Sequence, residues 1–388
     1  MAMGRRYELV AASLALFVIT LSVNLQVPLY RAYAGPNGYG EGFVALIFAA
    51  YVAGLVPVLI LLGGTSDYIG SKPTLCLATA LALTANGLML FEPNIPTLFC
   101  VRFLQGCAVG FALGASAAFL AARMSDLSLA ANLHGILVAV GLGGGALLTS
   151  VSQYLHPLSV PLSYYGMYSF NLLCLLALTG IRYESPTARE SLIKLPVVTA
   201  DSLIYCLVIF GAWSLTGVII AVVPSELSRV GLNGWAGLIV FLSVATGALF
   251  QPLCRKRSPI WALRVGAVLA LCAYACLVVS IRASFGMGII LASAMAGASG
   301  LGFIYIGGLV AVMAREELRR ARAVSGYFLF GYLGLGLPCV VVGYATERYG
   351  LTATLLMYGG AVLSILAAGF LARWNAMRER PLSASVQS

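Results

Sequence analysis

Twelve runs of about twenty apolar residues, cut apart by short segments that hold nearly all of the charge, leave this 388-residue chain very few ways to fold. A helix needs about 20 residues to cross the hydrocarbon of a bilayer. In lipid, a chain must also satisfy every backbone N–H and C=O internally, which helices do segment by segment. The runs fall near 9–29, 42–63, 73–92, 96–122, 133–155 and 163–182, then 201–223, 232–253, 259–281, 286–314, 323–346 and 352–373. Only 9% of the residues are charged, against about 25% in a soluble domain. That is too little charge to coat a globule of this size. The expected fold class is an all-α, multi-pass membrane protein, with the lipid bilayer as its first partner.

The first run follows Arg5 and Arg6, as in a secretory leader, but it is too long for a leader core and reads as the first span. Eighteen of the 23 Lys and Arg residues fall in one alternate set of gaps, four in the other, and Arg102 lies inside a span. Basic loops stay on the cytoplasmic side. The expected topology therefore has both termini cytoplasmic, in a cytoplasmic (inner) membrane. The formal charge of +10 lies in those gaps and not in a stripe interleaved with aromatics, which speaks against nucleic-acid binding. Eight of the nine cysteines sit within apolar runs, with no CxxC pair and no Cys/His cluster at metal spacing, so no metal is expected.

The longest hydrophilic connector splits the runs six and six. It carries Pro186, Pro196, Glu184, Arg189, Glu190 and Lys194. The expected organisation is a six-helix bundle over 1–182, a cytoplasmic linker over 183–200, and a second bundle with a short tail over 201–388. The halves echo each other. Span three opens at Lys72-Pro73 and span nine at Ser258-Pro259, with proline where a missing N–H is harmless. Span five carries Gly141, Gly143, Gly144 and Gly145; span eleven carries Gly331, Gly334 and Gly336, then Pro338. Paired halves of this kind mark transporters that rock about a midplane site.

Two motifs carry mechanism. After span two comes Gly63-Gly64-Thr65-Ser66-Asp67-Tyr68-Ile69-Gly70-Ser71-Lys72. Glycine permits a tight reversal, and Asp67 can meet the positive end of a neighbouring helix or a basic loop residue. Span four opens Leu98-Phe99-Cys100-Val101-Arg102-Phe103-Leu104-Gln105-Gly106, placing a guanidinium inside the membrane, where it costs about 2.5–3.5 kcal/mol on insertion scales. Gly106, Gly110 and Gly114 follow at every fourth position, a face suited to close helix packing, as are Gly141 and Gly145.

The first motif resembles the loop signature Gly-x-x-x-Asp-Arg-x-Gly-Arg-Lys of the major facilitator superfamily, through Gly63, Asp67, Gly70 and Lys72; Tyr68 and Ser71 replace its arginines. The second resembles Leu-x-x-x-Arg-x-x-Gln-Gly, prominent in the twelve-span drug/proton antiporter branch. The resemblance implies two pseudo-symmetric six-helix bundles that alternate access to a central cavity. It assigns gating to Gly63, Asp67, Gly70 and Lys72. It also implies that span one faces span four, so Asn24, Gln26, Arg102 and Gln105 are expected as a polar cluster lining the cavity. The competing reading ties Arg102 to backbone carbonyls or turns it outward. Tyr51, Tyr205, Trp213, Tyr305 and Tyr327 are further cavity candidates.

The expected function is export of small amphipathic or anionic organic molecules by proton antiport, from a monomer with no cofactor beyond a proton as coupling ion. The alternative is a facilitator-type importer of a metabolite or metal chelate on the same fold. Coupling lacks an obvious carrier, because Glu8, Glu41, Glu92, Asp201, Glu226, Glu347, His134 and His156 all fall near span ends. There is no P-loop, no HExxH helix and no protease dyad, so the chain does not read as an enzyme.

Overall fold

Proline and charge punctuate the backbone much as the apolar runs require. The computed structural model describes residues 2–91, 93–182, 195–227, 232, 234–255, 257–315, 320–362 and 364, and among them no strand occurs. The first half holds α1 (Ala2–Val23), α2 (Tyr30–Ala34), α3 (Glu41–Leu61), α4 (Thr65–Ile69), α5 (Ser71–Phe91), α6 (Ile95–Arg123), α7 (Leu127–Leu155) and α8 (Leu162–Thr179). The second holds α9 (Ala200–Ala221), α10 (Val223–Glu226), α11 (Ala236–Arg255), α12 (Pro259–Arg282), α13 (Gly286–Gly297), α14 (Tyr305–Arg315), α15 (Arg320–Tyr349) and α16 (Leu351–Val362). Among the described residues, 11 helical segments are long and apolar enough to cross a bilayer, and α16 starts the twelfth. The rest of the run expected at 352–373, and most of the 183–200 connector, lie outside the described residues.

Local chemistry sets the helix starts. Asn94 accepts from the Thr97 N–H, Ser258 accepts from the Trp261 N–H, and Thr199 with Ser202 forms a capping box on α9. Such caps satisfy N–H groups that a helix start leaves open. Span five begins six residues earlier than its apolar run suggests, at Leu127, because Leu127, Leu129, Ala130 and Ala131 are good helix formers that carry the helix past the interrupting Ser128 and Asn132. His134 therefore lies two turns inside α7 and not at its end, with Nε2 3.1 Å from both Leu113 O and Ser116 Oγ of α6.

The halves meet along two seams, α3 against α15 and α7 against α11. Small residues let the backbones touch. A methyl group added at Gly143 would lie 3.0 Å from Phe241 O of α11, and one at Gly336 would lie 2.8 Å from Val52 of α3. Gly141 and Gly145 turn the other way and pack on α1, against Phe17 and Leu21. Gly334 does the same on α9, against Phe210. Each glycine-rich span thus serves its own half on one side and the partner half on the other.

Gly106 and Gly110 hold α6 against α3 at Tyr51, Leu55 and Val58. Gly114, expected to extend that stripe, meets nothing within 4 Å. One more turn would need a partner near residue 62, and α3 has ended at Leu61.

Candidate functional site

Span one is broken where its sequence reads Asn24-Leu25-Gln26-Val27-Pro28. The α1 helix stops at Val23, and the Val27 N–H turns to Asn24 O (3.3 Å) in a tighter turn. This frees carbonyls that a continuous helix would have used. Arg102 Nη1 donates to Val23 O at 2.6 Å, and Gln26 Nε2 donates to the same oxygen at 3.0 Å. Gln105 Nε2 donates to Ser22 O at 2.7 Å, while the Gln26 and Gln105 amides bond each other at 2.7 Å. Arg102 Nη2 reaches across to Phe48 O of α3 at 3.2 Å. The guanidinium carbon lies 4.9 Å from the Phe48 ring centre and 5.0 Å from that of Tyr51.

Arg102 is fully buried. A hydrogen bond to a charged group contributes about 1.5–3 kcal/mol, and a desolvated cation–π contact about 2 kcal/mol. Two of each offset the insertion cost of the charge. The side chain is thus a clamp that closes the break in span one and ties it to span two.

The second half repeats the device with other residues. The α9 helix stops at Ala221 and restarts as α10 with Pro224 in its first turn. Facing it, span ten widens between α13 and α14 into a π-helical stretch, Ala298–Ile304. Single π turns free carbonyls and cluster at functional sites. Here Trp213 Nε1 donates to Gly300 O (3.2 Å), Gln251 Nε2 to Leu301 O (3.1 Å) and the Tyr327 hydroxyl to Ile304 O (2.8 Å). Three spans therefore hold the widened turn.

Between the two breaks lies a small cavity of about 40 Å³. The first half contributes Val23, Asn24, Phe48, Tyr51 and Leu142; the second contributes Trp213, Thr216, Ile220, Val244, Leu301, Tyr332 and Leu335. Its wall is aromatic. Tyr332 meets Trp213 edge-on at 5.0 Å, Tyr51 meets Tyr332 at 6.4 Å, and Tyr305 stacks behind Trp213 at 6.5 Å. Asn24 Nδ2 donates to Leu142 O at 2.7 Å, but Asn24 Oδ1 has no partner, and neither has the Tyr51 hydroxyl. Organic ligands occupy about 300–1,000 Å³, so this conformation has room only for water.

Both directions out are sealed. The ends that carry α4 and the α6–α7 turn form the basic face. Towards the opposite face, Val27, Val44, Val218, Val222, Val240 and Val342 close the path. Towards the basic face, Leu16, Leu55, Ala112, Tyr205 and Ile209 do so. At the opposite rim, the Gly42 N–H, at the start of α3, donates to Glu347 Oε1 of α15 at 2.7 Å, and Arg31 pairs with Glu41. A second space of about 350 Å³ opens above the seal, between Pro28, Arg31 and Ser150 of one half and Pro224 and Leu232 of the other.

Of the polar cluster expected to line the cavity, only Asn24 does so. Gln26, Arg102 and Gln105 come together behind its wall, donating to backbone carbonyls and to one another, while Arg102 Nε has no partner. Tyr51 and Trp213 face the cavity, and Tyr305 backs it. Tyr327 is fully buried against span ten, and Tyr205 sits at the basic end of α9, under Arg315 at 5.5 Å. Tyr332, Phe48 and Thr216 were not legible as lining residues. Tyr332 lies five positions from Tyr327, about 140° round a helix, and turns inward because Gly331 and Gly334 bring α15 onto α9.

The loop motif is placed as follows. Asp67 lies in the first turn of α4, and Gly70 has φ +95°, a backbone setting that suits glycine. Gly63 precedes them beside Leu59 O. Lys72 donates to Thr179 O (2.9 Å) and to Ile181 O at the end of α8. It thus staples its own half and not the seam. Arg123 and Glu8 pair at 2.9 Å on the same face, also within that half.

Comparisons with known proteins agree with this geometry. A family model described as Major Facilitator Superfamily matches residues 12–337. The probable polyol transporter 6 of Arabidopsis thaliana is 36% identical over 85 residues, which is 21% of this chain and 17% of that protein. The matched part is thus about a sixth of that relative's length. A crystal structure of the nucleoside transporter NupG in a mutant form aligns with TM-score 0.76 and 15% identity over 95% of this chain and 99% of that one. NupG itself aligns at 0.69 and 13%, covering 95% and 98%. The human organic anion transporter TETRAN aligns at 0.65 and 14%, covering 94% and 99%. At such identities the likeness is one of fold.

Proposed function

The chain belongs to the major facilitator superfamily, and on that premise we propose that it is a secondary transporter carrying small organic solutes through the cavity between its halves by alternating access. One observation carries the reading: both halves line a small cavity between the two breaks, and two buried polar atoms there lack partners. Rocking the halves about this space would open it to each face in turn. The charge asymmetry supports cytoplasmic termini in an inner membrane. The 1–182 and 201–388 bundles are the bodies that would rock, with Asp67 and its loop as the basic-face gate.

Direction and coupling have two readings. The Arg102-Gln105-Gly106 signature supports export by proton antiport. The cavity lining supports a facilitator, because the residues that line it include no carboxylate and no imidazole. Glu8 and Glu41 are buried, but each is paired with arginine near a span end. The similar proteins are described as transporters of polyols, nucleosides and organic anions, which supports a solute of that size. Purified protein in liposomes of known orientation decides. Antiport predicts solute accumulation when only a pH gradient is imposed; a facilitator predicts equilibration regardless of pH. No movement of any such solute would refute the transporter reading.

A further inference from the structure

The Asn24 amide is oriented by its own hydrogen bond. Nδ2 donates to Leu142 O at 2.7 Å, and a carbonyl oxygen cannot make that bond in its place. Oδ1 is therefore the open atom. It lies on a side chain only 4% exposed, at the cavity wall, with nothing to accept from. A buried acceptor without a donor is costly and calls for a donor on whatever enters.

A charged group finds no counter-charge there, because the lining residues include neither a basic nor an acidic one. Nor does Arg102 offer an anion a contact. Two of its nitrogens are committed to Val23 O and Phe48 O, and Nε, though without a partner, is buried with the rest of the guanidinium against the Phe48 and Tyr51 rings and does not line the cavity. The remaining walls are flat. Tyr332, Trp213 and Tyr51 form an edge-to-face chain that closes the cavity, and a planar ring entering between the halves can replace those ring–ring contacts with its own.

We infer that the solute is uncharged, carries a planar ring, and donates an N–H or O–H to Asn24 Oδ1, with the Tyr51 hydroxyl as a second hydrogen-bonding partner. This deepens the transporter reading and rests on it. It also narrows the solute away from both plain polyols and organic anions.

The test uses the full chain in detergent with three probes: uridine, uridine monophosphate and ribitol. These are ring with donors, the same ring with charge, and donors without ring. Binding is read as quenching of Trp213 fluorescence, with Trp213→Phe as the control for signal origin, and in parallel as a thermal shift. Uridine should bind at least tenfold more tightly than either other probe. Asn24→Ala should weaken it at least tenfold, and Asn24→Asp, which keeps an acceptor oxygen, should weaken it less. The inference is overturned if ribitol or the monophosphate binds as well as uridine, if no probe binds at millimolar concentration, or if Asn24→Ala changes affinity less than twofold in a folded protein. Liposome flux separates the two failures. A solute that is moved but ignores Asn24 sinks this inference alone; binding that depends on Asn24 without any flux sinks the transporter reading alone.

Discussion

Replacing Gly106 and Gly114 by alanine, one at a time, makes the same chemical change two turns apart on one helix, and the two should move stability in opposite directions. At Gly106 the new methyl would sit 2.8 Å from Leu55 N and closer still to Tyr51 O. Ordinary contact begins near 3.4 Å, so α3 and α6 must part by more than half an ångström. Overpacking of this kind costs about 1–3 kcal/mol. Alanine's better helix propensity returns about 1 kcal/mol, leaving a net loss of up to about 2 kcal/mol. The separation would also stretch the Arg102–Phe48 hydrogen bond, already 3.2 Å long. At Gly114 the methyl meets nothing within 4 Å, and only the propensity gain of about 1 kcal/mol remains. Thermal unfolding midpoints of the purified variants, measured side by side in one detergent, should rank Gly114→Ala at or above the parent and Gly106→Ala below it. If Gly106→Ala proves as stable as Gly114→Ala, the close α3–α6 approach is wrong, and with it the seating of Arg102.

Other consequences can be checked as directly. Arg102→Lys keeps the charge, but its one nitrogen cannot sit at both the Nη1 and Nη2 positions that meet Val23 O and Phe48 O, and it lacks the flat face that lies against the Phe48 and Tyr51 rings; it should lose nearly as much thermal stability as Arg102→Gln, and full retention by the lysine variant would contradict the clamp. Glu347→Ala removes the carboxylate that meets the start of α3 across the seam, so a cysteine placed at Val218 should react several-fold faster with a membrane-impermeant maleimide; an unchanged rate would show that the contact does not hold the opposite face shut. Lys72→Ala should raise hydrogen exchange at residues 176–181 without altering that maleimide rate, because its bonds stay within the first half. Trp213→Phe removes the donor to Gly300 O and should raise exchange across residues 298–304, whereas Trp235→Phe, at an exposed position before α11, should leave those residues unchanged.

Much of the architecture is legible in the residues because lipid imposes a length and a composition on every span, and both can be counted. Glycines in spans five and eleven also mark helices that meet at the seams, whereas the run 9–29 reads as one continuous span and hides its break. The rotation of each helix about its axis is harder to read. Asn24, Gln26, Arg102 and Gln105 share a depth, and depth follows from position along a run. Which of them faces the cavity depends on where α1 stops, and that moves the last three behind the wall. The partners of Arg102 are carbonyl oxygens, which every residue carries and no motif records. The Gly106 stripe likewise predicts contact at Gly114, but the end of its neighbour, α3, lies outside its own sequence pattern. Tyr327 is a cavity candidate by its position in span eleven, yet Tyr332 is the tyrosine of that span that lines the cavity, since aromatic content does not reveal facing.

The widened turn at Ala298–Ile304 has a consequence for the register of everything that follows it. An α-helix advances about 100° per residue, and a π turn absorbs one residue without advancing its exit by that angle. Tyr305 stacks on Trp213, and Gly307 and Gly308 nestle against α12 and α15, only because that slack has been taken up before them. Deleting one residue between 298 and 304 would let the helix tighten into regular α geometry and swing α14 about a quarter turn relative to α13. The stretch therefore behaves as a phase shifter in the middle of the helix: its length sets which face the second half of span ten presents.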